Sequence, residues 1–239
     1  MELRVRDVAR LLSVSEQTVY CWIKGGSLPV HRVGDQYRFN PVELQEWAAA
    51  EGHTVSPKLF ARVGPAEELP NLHAALVRGG IYHQVPGRER EEVLAAVAKL
   101  PGIPPAVDRG LLRQLLIRRE ALASTAIGDG IAIPHPRDPL VVRIDEPSVL
   151  LCFLEQPVDF RALDGRPVRV LFLLLSPSVR GHLQILAKLS FALHDPRLRD
   201  MLQTQASEDA ILERIHGLEA QAAAAPAHRD RPGSTPPQA

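Results

Sequence analysis

His135 stands between Pro134 and Pro136, at the end of the apolar stretch Ile131-Ala132-Ile133. Proline lacks an N–H and has a fixed φ, so the pair should stop sheet pairing and hold the imidazole at a strand end, away from the core. An imidazole is neutral and nucleophilic near pH 7, which suits it to accept a phosphoryl group without a strong base. Several groups could steady phosphate charge: Arg118 and Arg119, the hydroxyls of Ser124 and Thr125, and His182 at the start of a helical segment. A helix N-terminus offers unpaired N–H groups and a positive dipole end to an anion. Residue types alone still leave an ordinary exposed histidine as the default reading of His135. A zinc site on His135 and His182 would need further ligands, which the sequence does not place.

Other chemistries lack their motifs. There is no Gly-x4-Gly-Lys-Ser/Thr loop, no Cys-x2-Cys, no His-Glu-x-x-His and no Gly-x-Ser-x-Gly, which sets aside nucleotide-dependent kinases, zincins and common hydrolases. Gly128-Asp129-Gly130 lacks the third glycine of a dinucleotide loop and reads as a turn. Two cysteines, Cys21 and Cys152, cannot form a disulfide framework and fit a reducing compartment. Cys152 reads as a small core residue.

The elements that must position these groups follow from periodicity. Helical stripes cover 72–78, 91–100, 109–119, 181–194 and 208–216, and near-continuous apolar runs at 131–134, 148–154 and 168–175 read as buried strands. Asp164-Gly165 supplies the turn between the last two runs. The 239 residues accommodate one large domain, or a small domain joined to a medium one. The 28 basic and 28 acidic residues cancel, so no broad positive field is present. The first seven residues lack the apolar stretch of a secretory signal. The longest strongly apolar run, Val170 to Leu175, is far short of the ~20 residues that span a bilayer. A cytoplasmic location with no membrane partner is expected. Boundaries are expected at 1–50 for a front unit, 51–70 for a proline-bearing linker, 71–218 for the main domain and 219–239 for a disordered tail.

The front unit reads as helix, tight turn, helix, hairpin, helix. Asp7 is expected to cap the first helix and Ser15 the second, which stops at Gly25-Gly26. A hairpin forms around Gly34-Asp35, and Asn40-Pro41 opens the third helix, with Trp22, Phe39 and Trp47 in the core. This is the pattern of a winged helix-turn-helix. Val8-Ala9-Arg10-Leu11-Leu12, Ser15-Glu16-Gln17-Thr18-Val19-Tyr20, Trp22-Ile23-Lys24-Gly25-Gly26, Leu28-Pro29 and Arg32-Val33-Gly34 with Tyr37-Arg38-Phe39 resemble the excisionase and MerR-like family. Base and phosphate contacts then fall to Glu16, Gln17, Thr18 and Tyr20 on the second helix. Lys24, His31, Arg32 and Arg38 are candidates for phosphate. Six basic and six acidic residues within positions 1–50 leave the unit neutral. A single copy should therefore bind DNA weakly, and a dimer or a second DNA-binding partner is expected.

The stretch from Arg119 to His135 resembles the active-site segment of the fructose/mannitol and nitrogen-related (type 2) class of enzyme IIA of the bacterial phosphotransferase system. Leu154-Glu155 with Pro157-Val158-Asp159-Phe160, Leu163-Asp164-Gly165 with Pro167-Val168, and His182-Leu183 with Leu186-Ala187 follow in the same order, covering about residues 71–217. The resemblance implies an α/β fold with a mixed sheet sandwiched by helices. It further implies that His135 accepts a phosphoryl group from the histidine-containing phosphocarrier protein, with His182 as second histidine, Arg119 as neutralising arginine and no cofactor. Pro136-Arg137 replaces a glycine found in many relatives: Arg137 could add phosphate affinity, and Pro136 could restrict the loop. The expected function is a phosphoryl acceptor coupled to a DNA-binding domain. The alternatives are a carrier passing phosphate to a separate enzyme IIB, and a phosphorylation-dependent docking module for a regulatory target protein.

Overall fold

The computed structural model describes residues 3–33, 36–51, 53, 70–137 and 144–224. The expected linker falls almost entirely outside them. In the front unit, α1 (Val5–Leu11) and α2 (Glu16–Lys24) precede a hairpin of β1 (His31–Val33) and β2 (Gln36–Arg38), and α3 (Pro41–Ala50) follows. Ser15 caps α2, its Oγ accepting the Thr18 N–H at 3.0 Å, and Gly26 at φ +70° turns the chain out of the helix. Asp7 does not cap α1. Leu3 forms an antiparallel bridge with Phe39, which fixes Arg4 in an extended conformation and starts the helix at Val5. Asp7 therefore lies within the first turn, where its carboxylate accepts the Arg4 N–H at 3.1 Å. Phe39, Val8, Val19 and Leu44 form a closed apolar centre, and Trp22 and Trp47 pack half-buried at its margin.

The main domain holds one five-stranded sheet between two helical layers. Its elements are α4 (Leu72–Gly79), β3 (Ile81–Val85), α5 (Arg90–Val97), α6 (Arg109–Leu122), β4 (Ala126–Gly128), β5 (Ile131–Ala132), β6 (Ser148–Val158), β7 (Val168–Leu175), α7 (Val179–Leu193), α8 (Pro196–Gln203) and α9 (Glu208–Ala224). Strand order is β3-β6-β7-β5-β4. The central pair β6–β7 is antiparallel, while β3 runs parallel to β6 and β5 parallel to β7. Along β7, Val170, Phe172 and Leu174 enter the core under α4, α7, α8 and α9. Leu171, Leu173 and Leu175 enter the core under α5 and α6. With both faces covered, the strand reads as one apolar run rather than an alternation. Gly79 ends α4 against β6 so closely that a Cβ there would lie 2.1 Å from the Val149 carbonyl oxygen.

Three differences from the sequence reading have physical causes. Strand β3 and helix α8 were not expected. His83 and Gln84 give β3 no apolar alternation, and its last residue, Val85, is the only one fully buried. Helix α8 is a short amphipathic turn started by Asp195, whose carboxylate accepts the Leu198 N–H at 2.8 Å. The tail does not begin at 219. Helix α9 runs through Ala224, because Glu219 clasps α4 and α7: it accepts the Leu72 and His73 N–H groups at 2.8 and 2.9 Å and pairs with Lys188 at 2.9 Å. The alanines that follow favour helix.

The two units are packed together. Helix α3 lies on α7, and Leu183 is fully buried within the front unit's apolar cluster, with Val179 and Ala187 against it. Spacing of four residues places all three on one face of α7.

Candidate functional site

The site forms at the carboxyl ends of the parallel neighbours β5 and β7, the position where open α/β sheets present ligands. Beyond Ala132 the chain stays beside β7: the Pro134 carbonyl accepts the Leu174 N–H at 3.0 Å. Proline removes its own donor but keeps its acceptor, so pairing ends one-sidedly. The expected outward pose of His135 is thereby corrected. Its imidazole is 2% exposed, and Nδ1 donates to the Ile133 carbonyl at 2.8 Å. A carbonyl can only accept, so this contact calls for a proton on Nδ1, which in the neutral ring puts the lone pair on Nε2.

His182 reaches the same place from α7. Ser178 caps that helix, its Oγ accepting the Gly181 N–H at 3.0 Å, so His182 lies in the first turn. Its ring sits 4.9 Å from that of His135, centroid to centroid, tilted 56° and 1% exposed. A Cβ on Gly181 would meet the Ser176 hydroxyl at 2.9 Å, so the helix start fits closely against the strand end. Arg119, in the last turn of α6, is buried and donates to the Ala123 carbonyl at 2.8 Å. Arg118 is exposed.

Ser124 and Thr125 do not aim their hydroxyls at an open site. Ser124 Oγ donates to the Phe160 carbonyl at 2.5 Å. Thr125 Oγ1 donates to Glu120 at 2.5 Å, and the Thr125 N–H reaches both oxygens of that carboxylate at 3.1 and 3.2 Å. The Thr125 carbonyl in turn accepts the Ile133 N–H at 3.0 Å. Glu120, 4% exposed, thus anchors the strand pair that delivers His135. Sequence reasoning missed it, although a glutamate immediately after Arg119 and five residues before a threonine was visible. Glu43 was missed too: it binds His31 Nε2 at 2.7 Å and Arg137 at 2.6 Å.

The front unit presents a separate surface. Glu16, Gln17, Lys24 and Arg32 are exposed, as is Tyr20, which packs edge-on against Tyr37 with centroids 6.2 Å apart. Thr18 is half-buried, its side chain bonded to Ser15, and Arg38 is half-buried, held by Gln36. Of the remaining histidines, His194 bonds the Ser190 carbonyl and His73 contacts the His216 ring. Cys152 is buried, and burial pushes its thiol far above the usual range, consistent with a core role. Among the described residues no helix is long and apolar enough to cross a membrane.

The profile of the phosphoenolpyruvate-dependent sugar phosphotransferase system EIIA 2 family matches residues 79–217. The chain belongs to that family. Residues 2–52 match a helix-turn-helix domain profile, so the EIIA 2 unit is preceded by a helix-turn-helix unit. The nitrogen regulatory protein of Pseudomonas aeruginosa is 35% identical over 145 residues, covering 59% of this chain and 92% of that protein. The fructose-specific EIIABC component of Bacillus subtilis is 31% identical over 144 residues, 59% of this chain but 22% of that one. Among solved structures, the nitrogen regulatory protein IIA-Ntr of Neisseria meningitidis superposes with a TM-score of 0.53 at 27% identity, over 60% of this chain and 98% of its own. The mixed sheet between helices is therefore the EIIA 2 fold, and the family supplies phosphotransferase-system components.

Proposed function

We propose that this chain is a phosphorylation-responsive regulator, in which the EIIA 2 unit accepts a phosphoryl group on His135 and the helix-turn-helix unit binds DNA. The observation that supports the first half best is the His135 contact with the Ile133 carbonyl, which calls for the ring proton on Nδ1 and so favours Nε2 as the nucleophile, beside His182. The donor is the histidine-containing phosphocarrier protein. In the transfer, the Nε2 lone pair of His135 attacks phosphorus as the donor's N–P bond breaks, and the donor imidazole leaves with that electron pair. The product imidazole carries positive charge while Nδ1 keeps its proton, and the Ile133 carbonyl stabilises that N–H dipole. Arg119 and His182 offset charge spread over the phosphoryl oxygens. Exposed Glu16, Gln17, Tyr20, Lys24 and Arg32 support the second half, with Thr18 and Arg38 behind them as positioning groups.

The test supplies phosphoenolpyruvate, enzyme I and the phosphocarrier protein, and reads intact mass at alkaline pH, where phosphohistidine survives. Wild type gains one phosphate and His135→Ala gains none. No gain by wild type beside a working EIIA control overturns the acceptor role. A gel shift at low salt tests the DNA half, with Arg32→Ala weakening binding across all sequences. Passage of the phosphate to an enzyme IIB would instead favour a carrier in sugar uptake.

A further inference from the structure

We infer that the helix-turn-helix unit is a lid on the phosphorylation site: α3 occupies the face on which a phosphoryl donor must dock, and phosphorylation of His135 drives it off. This rests on the acceptor reading given above. Transfer requires the donor's phosphorus within about 3–3.5 Å of Nε2. His135 and His182 are 2% and 1% exposed, so the packed arrangement admits no second imidazole. The front unit grips both histidine-bearing segments. On α7 it covers Val179, Leu183 and Ala187, and His182 lies between the first two in sequence. On the other segment Glu43 of α3 holds Arg137, two residues beyond His135, at 2.6 Å.

The interface is built to part. A cleft of about 610 Å³ remains between the units, lined by Pro29, Glu43 and Trp47 on one side and by Arg119, Ser124 and Arg137 on the other. Among the described residues, Gln45 Oε1 and Trp47 Nε1 on α3, and Gln184 Nε2 on α7, are buried and find no hydrogen-bond partner. Such groups favour a state in which water reaches them. A phosphoryl group adds about two negative charges. Placed on His135, it would compete with Glu43 for Arg137 and repel the Glu43 carboxylate. Helix α2 keeps Glu16, Gln17 and Lys24 in solvent while α3 is docked, so closure masks the phosphoryl site and not the DNA-reading face. The coupling is reciprocal: whatever holds the front unit away must make His135 easier to phosphorylate.

The experiment uses the full chain as wild type, Glu43→Arg and Ala187→Glu, one change on each side of the interface. Circular dichroism melts verify that the variants fold. Carbethoxylation by diethyl pyrocarbonate is read at His135 and His182 by peptide mass, with exposed His83 as the internal reference. An open form populated at about 0.1–10% slows labelling of wild type by roughly tenfold to a thousandfold. Both variants should label faster by a large part of that factor, and should take phosphate from the phosphocarrier protein correspondingly faster. Phosphorylated wild type should label at His182 as the variants do. Equal labelling of His135 in wild type and both variants overturns the lid, even if phosphate is taken up normally. Faster labelling of the variants with no phosphate uptake by any form keeps the lid and overturns the acceptor reading instead.

Discussion

Replacing Thr125 with valine would remove the hydroxyl that holds Glu120 and change little else, because the two side chains share a shape. Among the described residues the Glu120 carboxylate receives three hydrogen bonds, all from Thr125, of which the hydroxyl contact at 2.5 Å is the shortest. A hydrogen bond to a charged group contributes about 1.5–3 kcal/mol. With Glu120 4% and Thr125 6% exposed, solvent has little room to replace it. The two backbone N–H contacts survive, so a loss of about 2 kcal/mol is expected. For a chain of this size that lowers the melting temperature by about 4–8 °C. In urea, the midpoint should fall at constant slope. Because the Thr125 carbonyl also holds the Ile133 N–H, the phosphorylation rate of His135 should fall with stability, and Thr125→Ser should restore both. A valine variant within about 0.5 kcal/mol of wild type would refute the anchoring role. Unchanged stability with impaired transfer would return the hydroxyl to the phosphate, where residue type alone had first placed it.

Two further outcomes test the packing. Burial pushes the Glu219 carboxyl up, but the Lys188 ammonium and the His73 and Leu72 N–H groups outweigh it and hold the carboxyl below its ordinary 4.5. A depressed folded-state pKa gives stability that is present above the unfolded value and lost as pH falls through the folded one, so Glu219→Gln should lower stability at pH 7 by about 1–2 kcal/mol and flatten the acid limb below about pH 5. Gly79→Ala would place its Cβ 2.1 Å from the Val149 oxygen, whereas a Cβ at Gly217 in α9 meets nothing within 4 Å. Thermal unfolding should show Gly79→Ala destabilised by about 3 kcal/mol or more and Gly217→Ala stabilised by about 0.5–1 kcal/mol.

The long elements were legible because both faces of the central strands are covered, which writes continuous apolar runs into 148–154 and 168–175. Capping was legible at Ser15 and misread at Asp7, because the start of α1 is set by the bridge from Leu3 to Phe39, a contact between residues far apart in sequence. Strand β3 carries His83 and Gln84 at a sheet edge, so no apolar period marks it. Within the site, the pairing of His135 with His182 was carried by the family resemblance and never by spacing. The inward turn of His135 depends on a proline carbonyl meeting Leu174, and residue type cannot announce that. Glu43 escaped notice because its importance lies between the two units.

Both tryptophans of the chain, Trp22 and Trp47, belong to the front unit, where their tilted rings contact each other and His53 at centroid separations of 5.2 Å. The molecule therefore carries its own pair of thermometers. Indole emission follows the melting of the small unit alone, while far-ultraviolet dichroism is dominated by the main domain, which among the described residues holds six helices, α4 to α9, and the five-stranded sheet. Coincident transitions would mean that the small unit borrows its stability from the large one. Separated transitions would give the free energy of unfolding the small unit while the large one stays folded, with no label and no cut in the chain.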